Sequence, residues 1–258
     1  MPFSSAPKAE FLDPRLVAVY DYVNPVEDYD QDCLRIARDL GAHRVVDLGC
    51  GTGLLTQRFI EAGFDVTGIE PAEPMLTRAR ARDHESCATW LRGGAELVQN
   101  LDADLVLMTG HVAQFFLEDD EWGDALRSVR SGTQGHLLFD SRNPNRLPFG
   151  GWPTEQKPRT VETPAGTVRW WHADLNWDGR NARYVLHYLL PDGAHCRSVN
   201  QLVFRGRDEI ERDLRRVGFT EVTVYSDWQR SSTTSSTEEM VFLAGKRPTS
   251  GPGGRSDP

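Results

Sequence analysis

Apolar residues in the first half of the chain follow two alternating spacings. Short apolar runs, at 44–48 and 63–70, flank a segment in which Leu55, Phe59 and Ala62 recur every three or four positions. The runs are typical of buried strands, and the recurring spacing is typical of an amphipathic helix. The alternation predicts an α/β fold.

The pattern changes in the second half. Turn signals that contain glycine or proline separate three runs rich in β-branched and aromatic residues: 167–177, 180–190 and 194–204. One of these turns is Asp178-Gly179, and Asp-Gly between two such runs is a strong hairpin signal. We therefore expect a small antiparallel β-insertion after the predicted strand segment 135–144, followed by a helix that begins near Asp208.

These patterns predict one elaborated domain rather than two independent ones. The 258 residues are enough to bury a substantial core. The core is expected to comprise 13–147 and 204–247, and the insertion 148–203. Positions 1–12 and 248–258 are expected to be flexible tails. The insertion is interpreted as a lid over the active-site edge or as a dimer surface.

Glycine occupies every second position of the turn that follows the first predicted strand: Asp47 precedes Gly49, Gly51 and Gly53. Such glycines permit positive φ angles and let a ligand approach the main chain closely, and the next helix offers free N–H groups. The dinucleotide fingerprint Gly-x-Gly-x-x-Gly fails in both registers, because Leu54 or Thr56 stands at its third glycine. The turn and the start of the next helix contain no lysine, so this is not a Walker A loop.

An acidic residue followed by Gly-x-Gly-x-Gly resembles the first motif of class I S-adenosylmethionine-dependent methyltransferases. The resemblance continues in order through the chain. Glu70 ends the second predicted strand, 93–96 follows the third, and Thr109 and His111 follow the fourth. The segments 204–228 and 239–246 are similar to that family's last helix and antiparallel strand pair. The resemblance covers roughly 15–147 and 204–247.

Membership of that family implies a Rossmann-like, seven-stranded, mainly parallel sheet whose last strand is antiparallel, with the β-insertion added. It also implies S-adenosyl-L-methionine as the cofactor. Asp47 would receive the cofactor's ammonium group, Glu70 its ribose hydroxyls, and Ala95 and Glu96 would flank the adenine. The cofactor-binding residues implied are Asp47, Gly49, Gly51, Gly53, Glu70, Ala95, Glu96 and Thr109.

The catalytic candidates are His111 and Asp140, which leave the fourth and fifth strands at one edge of the sheet. Histidine titrates near neutral pH, so His111 is either a base or a residue that shapes the methyl-transfer channel. A hydrogen-bonded structural role is the alternative. Arg142 and Asn143 are the substrate-binding candidates, because an arginine there clamps a substrate carboxylate or phosphate or, alternatively, pairs with Asp140.

The net charge of -9 argues against a nucleic-acid or anionic-membrane surface. The four cysteines are scattered without a CxxC motif, so neither a disulfide framework nor a metal site is indicated. No run within 1–15 suits a signal peptide and no segment has transmembrane length, so a cytoplasmic protein is expected.

The expected partner is a small polar methyl acceptor, methylated on N or O, and a homodimer is possible. Two alternatives stay open. One is a non-catalytic cofactor-binding protein that keeps the fold. The other is an RNA or protein methyltransferase, which is disfavoured by the acidic charge and by Met108-Thr109-Gly110-His111, where an Asn/Asp-Pro-Pro-Tyr/Phe motif would stand.

Overall fold

The computed structural model describes residues 8–26, 29–146 and 157–246. Its helices are α1 Ala9–Leu12, α2 Pro14–Val23, α3 Asp30–Asp39, α4 Leu54–Glu61, α5 Glu73–Arg82, α6 Asp119–Gly132 and α7 Arg207–Arg216. Its strands are β1 Arg44–Leu48, β2 Asp65–Glu70, β3 Thr89–Arg92, β4 Ala103–Met108, β5 Thr133–Arg142, β6 Arg159–Thr163, β7 Gly166–Trp177, β8 Asn181–Leu189, β9 His195–Val203, β10 Glu221–Tyr225 and β11 Glu239–Gly245. Short 3₁₀ helices at Ala95–Asn100 and Val112–Phe115 follow β3 and β4.

The main sheet has seven strands in the order β10-β11-β5-β4-β1-β2-β3. Strands β1 to β5 pair in parallel, whereas β11 runs antiparallel to both β5 and β10. The predicted fold class is therefore confirmed, including the antiparallel last strand. The order reverses beside β1, and open α/β sheets bind ligands at such a reversal, beyond the carboxyl ends of the strands.

Helices cover both faces of this sheet because successive strand residues point to opposite sides. Val106 and Leu137 belong to an apolar cluster with helices α6 and α7, and their neighbours Leu105 and Leu138 belong to a cluster with α3 and α4. Both faces of the central strands are thus buried. This explains why their sequences read as continuous apolar runs.

The inserted segment forms a second, antiparallel sheet with the order β6-β7-β8-β9. Three of its strands match the three predicted runs, and β6 is additional. The sequence Arg-Thr-Val-Glu-Thr of β6 has one apolar residue, and its side chains are mostly exposed. An edge strand of this kind carries no hydrophobic periodicity, so it could not be predicted from the pattern.

Helix α2 lies between the two sheets. Leu16 and Val19 join an apolar cluster on the inner face of the second sheet with Leu186, whereas Val17 packs against Met75 of α5. The segment 9–12, expected to be loose, forms α1, where Glu10 is buried and receives a hydrogen bond from the hydroxyl of Tyr188 at 3.1 Å. Because Tyr188 is far from Glu10 in the sequence, no local sequence pattern could have predicted this contact.

Within the described ranges, no helix is both long and apolar enough to span a membrane. The expected tail at 248–258 lies wholly outside the described residues. The other expected tail and the insertion lie partly outside them, at 1–7 and 148–156.

Candidate functional site

The glycine turn between β1 and α4 is held in a left-handed conformation. Gly49, Gly51 and Gly53 have φ angles of 80°, 56° and 73°, which residues other than glycine rarely adopt. A Cβ on Gly49 would lie 2.6 Å from Cγ2 of Val112, in the loop after β4. The turn therefore needs glycine at position 49 both for its dihedral angles and for its contact with the neighbouring loop.

Asp47 is the penultimate residue of β1, just before this turn, and is only 3% exposed. The hydroxyl of Thr56 donates a hydrogen bond to its Oδ2 at 2.6 Å. Burial raises the pKa of Asp47 to about 6, and the bond from Thr56 opposes that rise.

Glu70 ends the adjacent strand β2. Its Oε2 accepts a hydrogen bond from the backbone N–H of Gly51 at 3.1 Å, and its Oε1 accepts one from Ala72 at 2.9 Å. Burial raises the pKa of Glu70 to about 7 despite these bonds. Neither Asp47 nor Glu70 forms an ion pair with any residue that the structure describes. Two buried carboxylates of this kind suit a ligand that brings its own cation and hydroxyl donors.

A cavity of about 920 Å³ extends from the glycine turn to the inner face of the second sheet. This volume is near the upper end of the roughly 300–1,000 Å³ of small-molecule sites, so it has room for more than one ligand. Nine sequence-predicted residues line it: Asp47, Gly49, Gly51, Glu70, Ala95, Glu96, Thr109, His111 and Arg142.

Three other predicted residues are not on its wall. Gly53 precedes α4, where a Cβ would lie 2.8 Å from the ring of Trp90. Asp140 is buried behind His111. The Nδ2 of Asn143 donates to the backbone carbonyl of Thr237 at 2.8 Å. This contact ties the end of β5 to the loop before β11.

On the side of β3, Ala95 begins the 3₁₀ helix and is buried. The Oε1 of Glu96 accepts a hydrogen bond from the backbone N–H of Gly94 at 3.0 Å. This bond fixes the loop next to the glycine turn. It leaves the second carboxylate oxygen of Glu96 available to a donor.

His111 follows β4 with a φ of 64°, in the left-handed region. Its backbone N–H donates to Oδ1 of Asp140 at 3.0 Å, which holds the residue at the strand end. Its Nε2 lies 2.9 Å from Oε2 of Glu239 and 3.3 Å from Oδ2 of Asp140. Burial raises the pKa of Asp140, and the nearby His111 opposes that rise.

Glu239 was not among the predicted site residues. It begins β11, and its register partner is Arg142 at the end of β5. Because β11 is antiparallel, its first residue reaches the edge where the parallel strands end. A predicted antiparallel last strand that begins with a carboxylate is the signal that could have identified it. Within the described residues, the ligand atoms of His111, Asp140 and Glu239 lie close enough together to hold a metal ion.

The wall opposite the glycine turn comes mostly from the second sheet and is aromatic. It contains the aromatic residues Phe115, Trp170, His172, Tyr184 and Tyr188, together with the aliphatic Leu186. The pKa of His172 is lowered to about 4, and burial is the largest cause of this shift. This wall therefore offers neutral, flat surfaces at neutral pH.

A family model described as a methyltransferase domain matches residues 45–134. A protein named as a methyltransferase in Geobacillus sp. (strain WCH70) is 50% identical over 220 residues, which cover 80% of this chain and 85% of that protein. The glycine/sarcosine N-methyltransferase of Aphanothece halophytica is 26% identical over 223 residues, covering 83% of this chain and 80% of that protein.

Solved structures share the fold at lower identity. The CcbJ methyltransferase from Streptomyces caelestis has a TM-score of 0.75 at 20% identity, covering 92% of this chain and 99% of that chain. The sugar N-methyltransferase KedS8 from Streptoalloteichus sp. has a TM-score of 0.70 at 18% identity, covering 88% and 90%.

Proposed function

The chain belongs to the class I S-adenosylmethionine-dependent methyltransferases, and on this premise we propose that it methylates an amine nitrogen of a small polar acceptor, with His111 as the base. The observation that carries the proposal is the position of His111. It lines the cavity at the end of β4, and two carboxylates lie behind its ring.

We assign cofactor binding to the end of the cavity that holds the glycine turn. Asp47 would receive the ammonium group, and Glu70 would accept hydrogen bonds from the ribose hydroxyls. The absence of an ion-pair partner for either carboxylate among the described residues supports this assignment. When bound, S-adenosylmethionine supplies a methyl group that its sulfonium has already activated.

Other residues shape the same end. Gly49 and Gly51 would admit the amino acid part of the cofactor, and Gly53 would place the N-terminus of α4 beside it. Ala95 and Glu96 would flank the adenine, and the free Glu96 oxygen would accept from its amino group. We assign Thr109 to the methyl end.

His111 would accept the proton that the acceptor loses. If Nε2–H donates to Glu239, the lone pair of the neutral ring is on Nδ1, which has no hydrogen-bond partner among the described residues. Asp140 and Glu239 would then stabilise the imidazolium that forms. The remaining task is to hold acceptor and methyl in line, and this orientation is a large part of catalysis.

Nitrogen is favoured over oxygen for two reasons. The carboxylates of Asp140 and Glu239 lie beside the ring of His111, and negative charge at this point attracts a protonated amine more strongly than a hydroxyl. In addition, the relatives include proteins named as glycine/sarcosine and sugar N-methyltransferases. We assign Arg142 to binding the acceptor. Asn143 is then a positioning residue, since its amide is used by Thr237.

The proposal is tested by incubating the protein with S-adenosylmethionine and separate pools of amines and alcohols, followed by mass spectrometry. We expect methylated products from the amine pools only, and micromolar binding of the cofactor, roughly -7 to -9 kcal/mol. Products from alcohols alone would overturn the choice of nitrogen. Tight cofactor binding without any product from pools that span polar metabolites would favour the non-catalytic alternative.

A further inference from the structure

Four lysine or arginine side chains line the cavity within the part of the chain that the structure describes: Lys8, Arg92, Arg142 and Arg159. Two of these already have partners. The Nζ of Lys8 donates to the backbone carbonyl of Gln201 at 2.7 Å, and Arg92 lies 3.6 Å from a carboxylate oxygen of Glu73. Lys8 and Arg92 therefore already interact with other groups of the protein.

Arg142 and Arg159 differ from them. Neither is within ion-pair distance of a carboxylate in the described ranges, although acidic residues outnumber basic ones by 38 to 29 in this chain. Most other arginines among the described residues pair with an aspartate or a glutamate. Two unpaired guanidinium groups on the wall of one cavity therefore call for an explanation.

Arg142 is held in place without being neutralised. Its Nη1 donates to Oε1 of Gln114 at 3.2 Å, and Gln114 is fully buried. This bond fixes the direction of the guanidinium and leaves most of its N–H groups free. Arginine offers five donors in a planar fork, a geometry that matches carboxylate and phosphate oxygens.

Arg159 is held by an aromatic ring. It is the register partner of Trp170 on the neighbouring strand, and its guanidinium carbon lies 4.9 Å from the centre of that ring. A cation over an indole face keeps its charge while its position is restricted. Arg159 is exposed on its other side, so its N–H groups remain accessible.

His172 shows that the two arginines act on the same part of the cavity. It lies two residues after Trp170 on the same face of β7, with the ring centres 5.6 Å apart. Burial is the main cause that lowers the pKa of His172, and the positive charges of Arg159 and Arg142 both add to it. Both guanidinium groups line the same cavity as His172 and act on it electrostatically.

We propose that the acceptor carries an anionic group, a carboxylate or a phosphate, which Arg142 and Arg159 bind together while its amine reaches His111. This inference rests on the proposed function and specifies its substrate class. The body of the acceptor would lie on the aromatic wall beside Trp170 and Tyr184. A chain of net charge -9 repels anions at a distance, so an anionic acceptor needs such a local pair of cations.

The test uses probes that share the anionic group and a flat ring. Phenylacetate and phenyl phosphate are titrated into the full-length protein by calorimetry, with phenylacetamide and benzyl alcohol as uncharged counterparts. Each titration is done with and without S-adenosylhomocysteine. We expect at least one anion to bind roughly tenfold more tightly than its uncharged counterpart. The tighter of the two anions identifies the acceptor group as carboxylate or phosphate.

Variants localise the effect. Arg142→Gln and Arg159→Gln should each weaken binding of the preferred anion by roughly five- to tenfold and leave the uncharged probes unaffected. Arg169→Gln is the matched control, because Arg169 is on the same strand as Trp170 and exposed on the opposite face. Thermal unfolding and S-adenosylhomocysteine binding verify that each variant is folded.

The proposal is wrong if neither anion binds better than its uncharged counterpart, or if Arg169→Gln has the same effect as the two cavity variants. The proposed function fails by a different result. If S-adenosylhomocysteine does not bind but the anions still discriminate between Arg159→Gln and Arg169→Gln, the anion site stands and the methyl-transfer assignment falls.

Discussion

At the cofactor end of the cavity, main-chain N–H groups hold the carboxylates of Glu70 and Glu96, whereas at the acceptor end other side chains hold the polar groups. Glu70 is held by two backbone N–H groups, and the turn that supplies one of them allows no side chain at Gly49. By contrast, Arg142 is held by Gln114 and Arg159 by Trp170. A single substitution can therefore reshape the acceptor end while the cofactor end keeps its geometry.

The two ends also differ in how far apart their residues are in the chain. The glycine turn and Glu70 lie within one β-α-β unit. The acceptor end combines His111 with Glu239, 128 positions later, and with residues of the inserted sheet. The comparison leads to four predictions, which test whether the two ends behave independently.

The largest effect is expected for His111→Asn. Loss of a general base lowers turnover by about 10²- to 10⁴-fold, and the dissociation constant of S-adenosylmethionine should change by less than about twofold. The measurement is single-turnover methylation of the amine found in the screen, with calorimetry for the cofactor. An equal loss of cofactor affinity would show that His111 acts through the cofactor end.

The second prediction concerns stability and pH in the ligand-free protein. Asp47 and Glu70 have pKa values raised to about 6 and about 7, from ordinary values of 3.8 and 4.5. The folded state thus keeps protons that the unfolded chain releases, so stability is full below about pH 4 and is lost as the pH rises through 6 to 7. The free energy of unfolding should fall by roughly 2 to 4 kcal/mol between pH 5 and 8.

Denaturant titrations between pH 5 and 8 measure this decrease in the free energy of unfolding. The variant Glu70→Gln should show roughly half of the decrease, because one of the two buried carboxyl groups no longer titrates. A flat profile in the unmodified protein would contradict the burial of these groups as ionisable carboxyls. Bound S-adenosylhomocysteine should also make the profile shallower, since its hydroxyl and ammonium donors favour the ionised forms.

The third prediction is that Glu70→Ala weakens binding of S-adenosylhomocysteine by about 1 to 3 kcal/mol through the loss of charge-assisted hydrogen bonds. Glu61→Ala, an exposed carboxylate at the end of α4, is the control and should have no effect. Calorimetry measures the dissociation constant of S-adenosylhomocysteine for both variants. An unchanged dissociation constant in folded Glu70→Ala would mean that other groups hold the ribose.

The smallest effect is expected for Asn143→Ala. Its side chain donates to the backbone carbonyl of Thr237, so the variant should lose about 1 kcal/mol of unfolding free energy. The KM for the acceptor should stay within about twofold, because a stability loss of that size leaves the folded cavity intact. Measuring both the free energy of unfolding and the KM for the acceptor distinguishes a structural role of Asn143 from a substrate-binding role. A raised KM at unchanged stability would restore Asn143 as a substrate-binding residue.

The sequence brings the glycine turn, Asp47 and Glu70 together because the signals for this end of the cavity are local. The alternating glycines and the carboxylates at the ends of β1 and β2 follow from strand and turn chemistry within one unit. The order of the core elements fixed the sheet and its antiparallel last strand, as the structure confirms. The cofactor roles of the individual residues stay predictions.

The acceptor end was less predictable for physical reasons. Glu239 becomes a neighbour of His111 only through the pairing of β11 with β5. Arg159 is on a short edge strand without hydrophobic periodicity. The burial of Glu10 depends on Tyr188, which is 178 positions away. No local pattern reports such pairings. The possible homodimer and the cytoplasmic location stay predictions as well.

The position of α2 between the two sheets has a consequence for how the chain folds. Leu16 and Val19 emerge early during synthesis, but their partners in the second sheet emerge much later, Leu186 being 170 positions after Leu16. The backbone N–H of Glu10 likewise donates to Ser198, 188 positions later. Contacts between such distant positions close slowly and late. We therefore expect the parallel sheet to form while the amino terminus is still undocked, so that the acceptor end is the last part of the enzyme to mature.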